Sequence, residues 1–148
     1  MLTIRLMTAN DAETVLEMMR VFYASQAVAT NGSEEIFRSD IDNCVGDCPF
    51  LEGYIFSYNN SIAGYAMTAK SFSTEFGKPC IWIEDIFIKP EFQGKGIGTK
   101  FFACIEQKYP NCVFRLEVEE LNQGAINLYK KVGYEFLPYM EMKKDSKL

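Results

Sequence analysis

One continuous stretch, residues 80–102, constrains the fold of this chain more than any other. It reads CIWIEDIFIKPEFQGKGIGTKFF. The apolar run before Lys89 predicts a buried strand, the closely spaced Gly94, Gly96 and Gly98 predict a tight loop, and a helix is expected from about Thr99. The first N–H groups of a helix lack intrahelical acceptors and carry partial positive charge. A strand, glycine-rich loop and helix in this order therefore favour the binding of a phosphorylated ligand.

Length and charge exclude several classes of protein. A chain of 148 residues fits one domain, 1–148, with an ordinary globular composition. Its net charge of -5 argues against a nucleic-acid or anionic-membrane partner, since both require a basic surface. Residue 1 leads directly into a strand-like segment rather than a signal peptide, and no apolar run approaches the roughly 20 residues that cross a bilayer. We therefore expect a cytoplasmic protein.

The complete lack of histidine narrows the catalytic chemistry. It excludes Ser-His-Asp and Cys-His arrangements, so a general base must be a carboxylate, a tyrosine, a thiol or a water. Among the five cysteines, Cys44 and Cys48 form the one close pair, and no second pair completes a zinc site. We therefore predict no metal site and expect reduced thiols.

Alternating strand and helix signals continue along the rest of the chain. The strand–loop–helix–strand unit between residues 81 and 118 implies a parallel or mixed sheet at the centre. We predict an α/β fold with a mixed sheet of about six strands and four helices. The other predicted elements are a strand over residues 2–6, a helix capped by Thr8 or Asn10, a helix after Ser33, a hairpin of residues 50–58 and 61–71 around Asn59 and Asn60, a strand over residues 112–118, a helix from Asn122 to Gly133, and a last strand over residues 134–142.

Two groups of acidic residues stand out. Residues 10–52 hold nine Asp and Glu against two Arg, which is typical either of a solvated helical face or of a surface that attracts a cationic acceptor. In the predicted buried strand, Glu84 and Asp85 interrupt an apolar run. Burying an unpaired carboxylate is costly, so such residues are usually hydrogen-bonded, paired or placed at an opening for a purpose.

Two motifs at matching relative positions resemble the GCN5-related N-acetyltransferases, and the resemblance covers essentially the whole chain. The first is the cofactor loop of that family, here Gln93-Gly94-Lys95-Gly96-Ile97-Gly98. The second is spread over the helix and turn that follow the next strand, here Asn122, Ala125, Leu128, Tyr129, Lys131, Gly133 and Tyr134. Nucleotide-binding loops are a poorer match, because the last glycine interval is wrong for a Rossmann fingerprint and no Ser or Thr follows Lys95 as in a Walker loop.

The resemblance implies that the cofactor is acetyl-CoA. The coenzyme A pyrophosphate would lie on the backbone N–H groups of the loop and the hydroxyl of Thr99, with local positive charge from Lys95 and Lys100. The family typically has a bulge in the preceding strand, and the pantetheine arm would bond to its backbone at Ile86 and Ile88, on either side of Phe87. The predicted cofactor-binding residues are Ile86, Phe87, Ile88, Gln93, Gly94, Lys95, Gly96, Ile97, Gly98, Thr99, Asn122 and Tyr129.

An N-acetyltransferase must also deprotonate an amine and protonate the departing thiolate. Glu84 is our first candidate for the base and Asp85 the second, although either could serve only to orient other groups. By resemblance, Tyr129 would donate the proton to the thiolate. No cysteine lies in a recognisable nucleophile setting, so direct transfer in a ternary complex is expected.

The acceptor is the least determined part of the prediction. The acidic residues and a local likeness to polyamine acetyltransferases around Glu84 favour a small basic amine. The alternatives are a protein N-terminus or lysine and, in another class, a non-catalytic acyl-CoA-binding module. The acceptor site is expected to involve the first two helices and the loop of residues 72–79, and the resemblance also allows a homodimer.

Overall fold

The computed structural model describes residues 1–146 as a mixed β-sheet with two helices on each face. Two short 3-10 turns, Ala9–Asp11 and Pro90–Phe92, precede the first and third helices. Among residues 1–146, no helix has the length and apolarity needed to cross a membrane. In chain order the elements are β1 Leu2–Leu6, α1 Ala12–Tyr23, α2 Glu34–Val45, β2 Leu51–Tyr58, β3 Ser61–Ser73, β4 Lys78–Ile88, α3 Ile97–Lys108, β5 Val113–Leu116 and α4 Gln123–Lys131.

The five strands follow their chain order across the sheet, β1-β2-β3-β4-β5. The first four pair antiparallel, and β5 lies parallel to β4 after the crossover through α3. One core lies between the sheet and α1 and α2, and a second lies between the sheet and α3 and α4. The predicted α/β fold with a mixed sheet is therefore confirmed.

Local sequence signals explain where several elements begin and end. The Ser33 hydroxyl accepts from the N–H of Ile36 at 3.2 Å and caps α2. Asn59 and Asn60 take positive φ angles of 49° and 67° in the β2–β3 turn, as predicted for a tight hairpin. Gly133, with φ of 104°, lies just after the end of α4.

The predicted sixth strand over residues 134–142 is wrong. This segment has no regular secondary structure. Pro138 lies in its middle and has no N–H to contribute to a ladder. The neighbouring strand, β5, is also four residues long rather than the predicted seven of residues 112–118, which leaves little edge to pair with.

The loop predicted over residues 72–79 is shorter than expected. The strand β3 continues to Ser73 and β4 already begins at Lys78, so a tight turn of residues 74–77 connects them. The helix predicted from Thr99 begins two residues earlier, at Ile97, because Gly96 takes the left-handed conformation and ends the loop there.

An ion pair between the exposed Arg5 and the buried Asp11 joins β1 to the start of α1. Asp11 is 6% exposed and accepts two bonds from the Arg5 guanidinium, both 2.8 Å long. The same carboxylate accepts from the backbone N–H of Thr8 at 2.8 Å and from its hydroxyl at 3.2 Å. The bonds from Arg5, above all, lower the pKa of Asp11 to about 2.

Replacing this carboxylate is expected to destabilise the fold. Asp11→Ala leaves the Thr8 N–H without its partner, so the free energy of unfolding in urea should fall by about 1–3 kcal/mol. Glu13→Ala, which removes an exposed pair with Arg38, should cost less than about 0.5 kcal/mol.

The pH dependence of the Asp11 effect has a definite sign. Because the folded pKa of Asp11 lies below its ordinary value of 3.8, its contribution is present above about pH 4 and is lost as the pH falls toward 2. The difference in stability between the wild type and Asp11→Ala should narrow over that window. A difference that stays constant from pH 6 to pH 2 would contradict this account.

Candidate active site

A β-bulge at Glu84 determines the geometry of the site. In the β3–β4 ladder, Thr68 pairs with Ile83 and Met67 pairs with Asp85, so Glu84 has no partner on β3. Because of the extra residue, the side chains of the successive residues Glu84 and Asp85 lie in different environments. Glu84 is exposed, whereas Asp85 is buried at 4% exposure.

At the same point β4 separates from β5. The parallel ladder runs from Cys80 to Ile83, and β4 then continues to Ile88 with no strand of residues 1–146 beside it on that side. The N–H of Lys89 donates to Ala63, and ladder bonds alternate along an antiparallel pair, so the N–H groups of Ile86 and Ile88 point away from β3. This open strand edge can bind an extended ligand as an added strand would bind.

The glycine-rich loop presents the start of α3 beyond this edge. Gly94 and Gly96 have positive φ angles of 76° and 78°. These angles allow the backbone to make a tight turn, and neither residue has a side chain there. Gly96 provides no side-chain cap, and the first helical bond runs from Lys100 N–H to its carbonyl. The N–H groups of the first three helical residues, Ile97, Gly98 and Thr99, therefore lack intrahelical acceptors and form a site suited to an anion.

The other residues of the loop contribute differently. A Cβ at Gly98 would lie 2.8 Å from Leu128 Cδ2, so this glycine allows α3 to pack closely on α4. The Gln93 side chain donates to the Ile88 carbonyl at 3.2 Å. The ammonium of Lys95 lies 5.3 Å from the ring centre of Tyr58, whereas Lys100 donates to the Leu2 carbonyl at 2.9 Å and is tied to β1.

A cavity of about 360 Å³ lies where β4 and β5 separate, and we call it the β4–β5 slot. Its walls come from β4, from the segment that joins β5 to α4, from α4 and from the α1–α2 loop. It brings together five of the predicted catalytic and cofactor-binding residues, Glu84, Asp85, Ile86, Asn122 and Tyr129. The side-chain oxygen of Asn122 accepts from the N–H of Ala125 at 3.3 Å and caps α4.

Two tyrosine hydroxyls hold the buried Asp85. Tyr65 donates to one carboxylate oxygen at 2.8 Å and Tyr23 to the other at 2.9 Å. Burial raises the pKa of Asp85, although these two bonds oppose the shift. Partial desolvation in the slot and the neighbouring Asp85 charge raise the pKa of Glu84. Of the two carboxylates, Glu84 is thus the one placed to exchange a proton with a ligand.

Tyr129 lies on the α4 wall of the same slot. Its ring packs against Phe102 and Tyr134, with centroid distances of 5.8 Å and 6.1 Å. Its hydroxyl has no hydrogen-bond partner among residues 1–146, and desolvation raises its pKa to about 12. The phenol is therefore protonated at neutral pH and can donate a proton.

Sequence reasoning missed Tyr23, Tyr65, Glu117 and Glu119. The two tyrosines are 62 and 20 residues from Asp85 along the chain, so no local pattern connects them. Glu117 and Glu119 follow β5 and line the slot. Their one sequence signal is the acidic run just before the Asn122 motif.

Of the regions where we expect the acceptor to bind, only part lines the slot. The loop between α1 and α2 lines it, but the β3–β4 turn at residues 74–77 does not. Most acidic residues of the first third are exposed, as a solvated face requires. The exceptions are Asp11, Asp40 and Glu52. Desolvation and the charges of Asp85 and Glu84 raise the pKa of Asp40 to about 6.

Comparisons with known proteins agree with this geometry. The sequence profile of the acetyltransferase (GNAT) family matches residues 16–134. A thialysine N-epsilon-acetyltransferase of Sus scrofa is 30% identical over 84% of this chain and 78% of its own length. A spermine/spermidine N(1)-acetyltransferase of Bacillus subtilis (strain 168) is 26% identical over 61% of this chain and 63% of its own length. The structure of AAC(6')-Iy in complex with a bisubstrate analogue of CoA superposes with a TM-score of 0.81 at 14% identity, covering 99% of both chains.

The chain belongs to the acetyltransferase (GNAT) family. The predictions of an acetyltransferase enzyme and of acetyl-CoA, the co-substrate of the family, are confirmed at that level. The likeness to AAC(6')-Iy shows the fold alone. The roles of the individual site residues stay predictions.

A substitution in the glycine-rich loop tests whether it binds coenzyme A. Gly96→Val forces a branched side chain into a left-handed backbone conformation where the phosphates would lie, so CoA affinity should fall at least about tenfold. Gly77→Val is the matched control, since Gly77 has φ of 66° and no atom within 4 Å of a Cβ, yet lies in the β3–β4 turn.

Calorimetric titration with CoA separates strain from binding in these two variants. Both should lose a similar amount of stability, on the order of 1–2 kcal/mol. Only Gly96→Val should lose affinity. Equal affinity in the two variants, each folded, would contradict the loop assignment.

Proposed function

We propose that this protein transfers the acetyl group of acetyl-CoA directly to a primary amine of a small cationic acceptor. The observation that carries the proposal is the bulge at Glu84. It opens the strand edge at Ile86 and Ile88, and it also places an exposed carboxylate in a slot that Tyr129 lines.

The donor would lie along backbone groups. Its pyrophosphate would accept hydrogen bonds from the backbone N–H groups of residues 93–96 and from the first N–H groups of α3. Lys95 would add positive charge. Its pantetheine would extend along the open edge from Ile86 to Ile88. Between them, the Phe87 ring packs against Phe22 and Tyr65 and its N–H faces β3, so neither is available to hydrogen-bond the donor.

Glu84 would act as the general base. An alkyl ammonium has a pKa near 10.4 and must lose a proton before its nitrogen attacks the thioester carbon. The raised pKa makes the Glu84 carboxylate a better proton acceptor than a fully solvated glutamate. Asp85, with both oxygens occupied by tyrosine hydroxyls, would instead position the bulge and add negative charge next to Glu84.

Tyr129 would complete the transfer. Attack of the amine forms a carbon–nitrogen bond and a tetrahedral oxyanion, which an unpaired N–H of the open edge would stabilise. When the carbon–sulfur bond breaks, the thiolate takes the Tyr129 hydroxyl proton. The phenolate would then take the surplus proton from the attacking nitrogen, Glu84 would release its proton to solvent, and the acetylated amine would leave.

The acceptor is proposed on two grounds. The relatives named above are acetyltransferases of thialysine and of spermine and spermidine, all of which carry basic amines. The slot itself is lined by the carboxyl groups of Glu84, Asp85, Glu117 and Glu119 and by no lysine or arginine of residues 1–146. A cationic ligand is the type that such walls attract.

Thiol release from acetyl-CoA across a panel of amines tests the proposal. Small basic amines should accelerate release, and a lysine-containing peptide should do so much less. Binding of acetyl-CoA with no release for any amine would indicate a non-catalytic acyl-CoA-binding module. Release by the peptide alone would indicate a protein acetyltransferase.

Tyr129→Phe should lower kcat by about 100-fold or more, since the thiolate then departs without its proton donor. Its KM for acetyl-CoA should change little. Tyr134→Phe is the matched control, because the hydroxyl of this neighbouring tyrosine is buried without a partner among residues 1–146 and the residue does not line the slot. Equal effects of the two changes would remove Tyr129 from the mechanism.

The pH profile of kcat/KM tests Glu84. Because the base must be deprotonated, activity rises with pH through the pKa of Glu84. Glu84→Gln should abolish this acid limb and lower kcat by about 10²–10³-fold. Asp85→Asn removes the adjacent negative charge, so it should lower the pKa of Glu84 and move the limb to lower pH. A limb that persists in Glu84→Gln would assign it to another group.

A further inference from the structure

The carboxylates of the β4–β5 slot lie on two separate walls. Glu84 projects from the bulge in β4, whereas Glu117 and Glu119 follow the end of β5. A hydrogen bond with Glu141, in the segment after α4, and partial burial raise the pKa of Glu117 to about 7. Negative charge is therefore concentrated at two points around one cavity.

These charges have no counter-ion within the part of the chain that the structure describes. The ion pairs of residues 1–146 lie elsewhere, and none of them includes Glu84, Asp85, Glu117, Glu119 or Glu141. The like charges raise one another's pKa instead of being neutralised. A ligand with positive charge at both points would relieve this repulsion.

A third wall of the slot carries no charge. It is formed by the α1–α2 loop, through Ala27, Val28, Ala29 and Thr30, and by the ring of Phe22. Ala27, Val28 and Phe22 are half-buried. Such a wall can cover methylene groups, so the slot combines an apolar strip with acidic groups at two places.

We infer that the acceptor is an alkyl diamine or polyamine without a carboxylate, and that Glu117 and Glu119 recognise its second cationic centre while the reacting amine lies at Glu84. The inference rests on the proposed function, because it takes the slot to be the acceptor site. Glu117 and Glu119 are thus specificity-determining residues for the transfer.

The requirement for a second amine and the exclusion of a carboxylate each have a physical reason. A monoamine would neutralise the charge near Glu84 and leave Glu117 and Glu119 unpaired. An amino-acid acceptor would supply the second ammonium but would also bring a carboxylate between carboxylates, where like charges repel. The diamine alone matches both acidic points and the apolar strip.

Three acceptors separate these features. 1,5-Diaminopentane carries two amines, pentylamine lacks the second amine, and L-lysine is the same diamine with a carboxylate added. In steady-state assays of thiol release, kcat/KM for the diamine should exceed that for each of the other two by about tenfold or more, mainly through KM.

Variants then test whether Glu117 and Glu119 cause the preference for the diamine. Glu117→Gln combined with Glu119→Gln should lower kcat/KM for 1,5-diaminopentane about tenfold more than for pentylamine, and should narrow the discrimination against L-lysine. Glu120→Gln is the matched control, since this adjacent glutamate is exposed and does not line the slot. It should leave both values within about twofold of the wild type.

The outcomes distinguish the inference from the function on which it rests. Equal kcat/KM for the diamine and pentylamine, a preference for L-lysine, or an equal loss with both amines in the double variant would each overturn the inference and leave an amine acetyltransferase. No acetylation of any amine by protein that binds acetyl-CoA would overturn both.

Discussion

The bulge at Glu84 is the constraint on which the site depends. The strand β4 must stay paired with β3 along its whole length, because that ladder holds the two halves of the sheet together. It must also leave β5 after Ile83, or its edge would be unavailable. One extra residue satisfies both requirements by increasing the local twist at that point. The bulge also exposes Glu84 and buries Asp85, so a single irregularity provides both the opening and the proposed general base.

The fold tolerates the burial of the Asp85 carboxylate because each of its two oxygens accepts a hydrogen bond. Tyr65 on β3 and Tyr23 at the end of α1 each donate to one oxygen. Without these donors a buried carboxylate would cost several kcal/mol. Tyr23 also lines the slot, so the bonds that stabilise the bulge fix the position of the α1 end beside it. Stability and the shape of the proposed acceptor site are thus linked through the same carboxylate.

Local chemistry made much of the fold predictable from the sequence. Gly94 and Gly96 marked the loop, Ser33 and Asn122 marked helix starts, and Asn59-Asn60 marked the hairpin, because each acts on its immediate neighbours. Contacts between distant residues were not predictable in this way. The pairing of Asp85 with Tyr23 and the approach of Glu117 to the slot depend on how the sheet brings elements together. The strand expected over residues 134–142 failed because a β-like composition does not ensure a partner edge.

The central claim is that the open edge of β4 binds the pantetheine arm. Amide hydrogen exchange tests this claim at individual residues. Without ligand, the Ile86 and Ile88 N–H groups lack a strand partner and should exchange faster than those of Phe87 and Lys89, which face β3. Saturating CoA should slow exchange at Ile86 and Ile88, together with Ile97, Gly98 and Thr99, and leave the β1–β2 amides unchanged. Unchanged exchange at Ile86 and Ile88 in protein saturated with CoA would contradict the account.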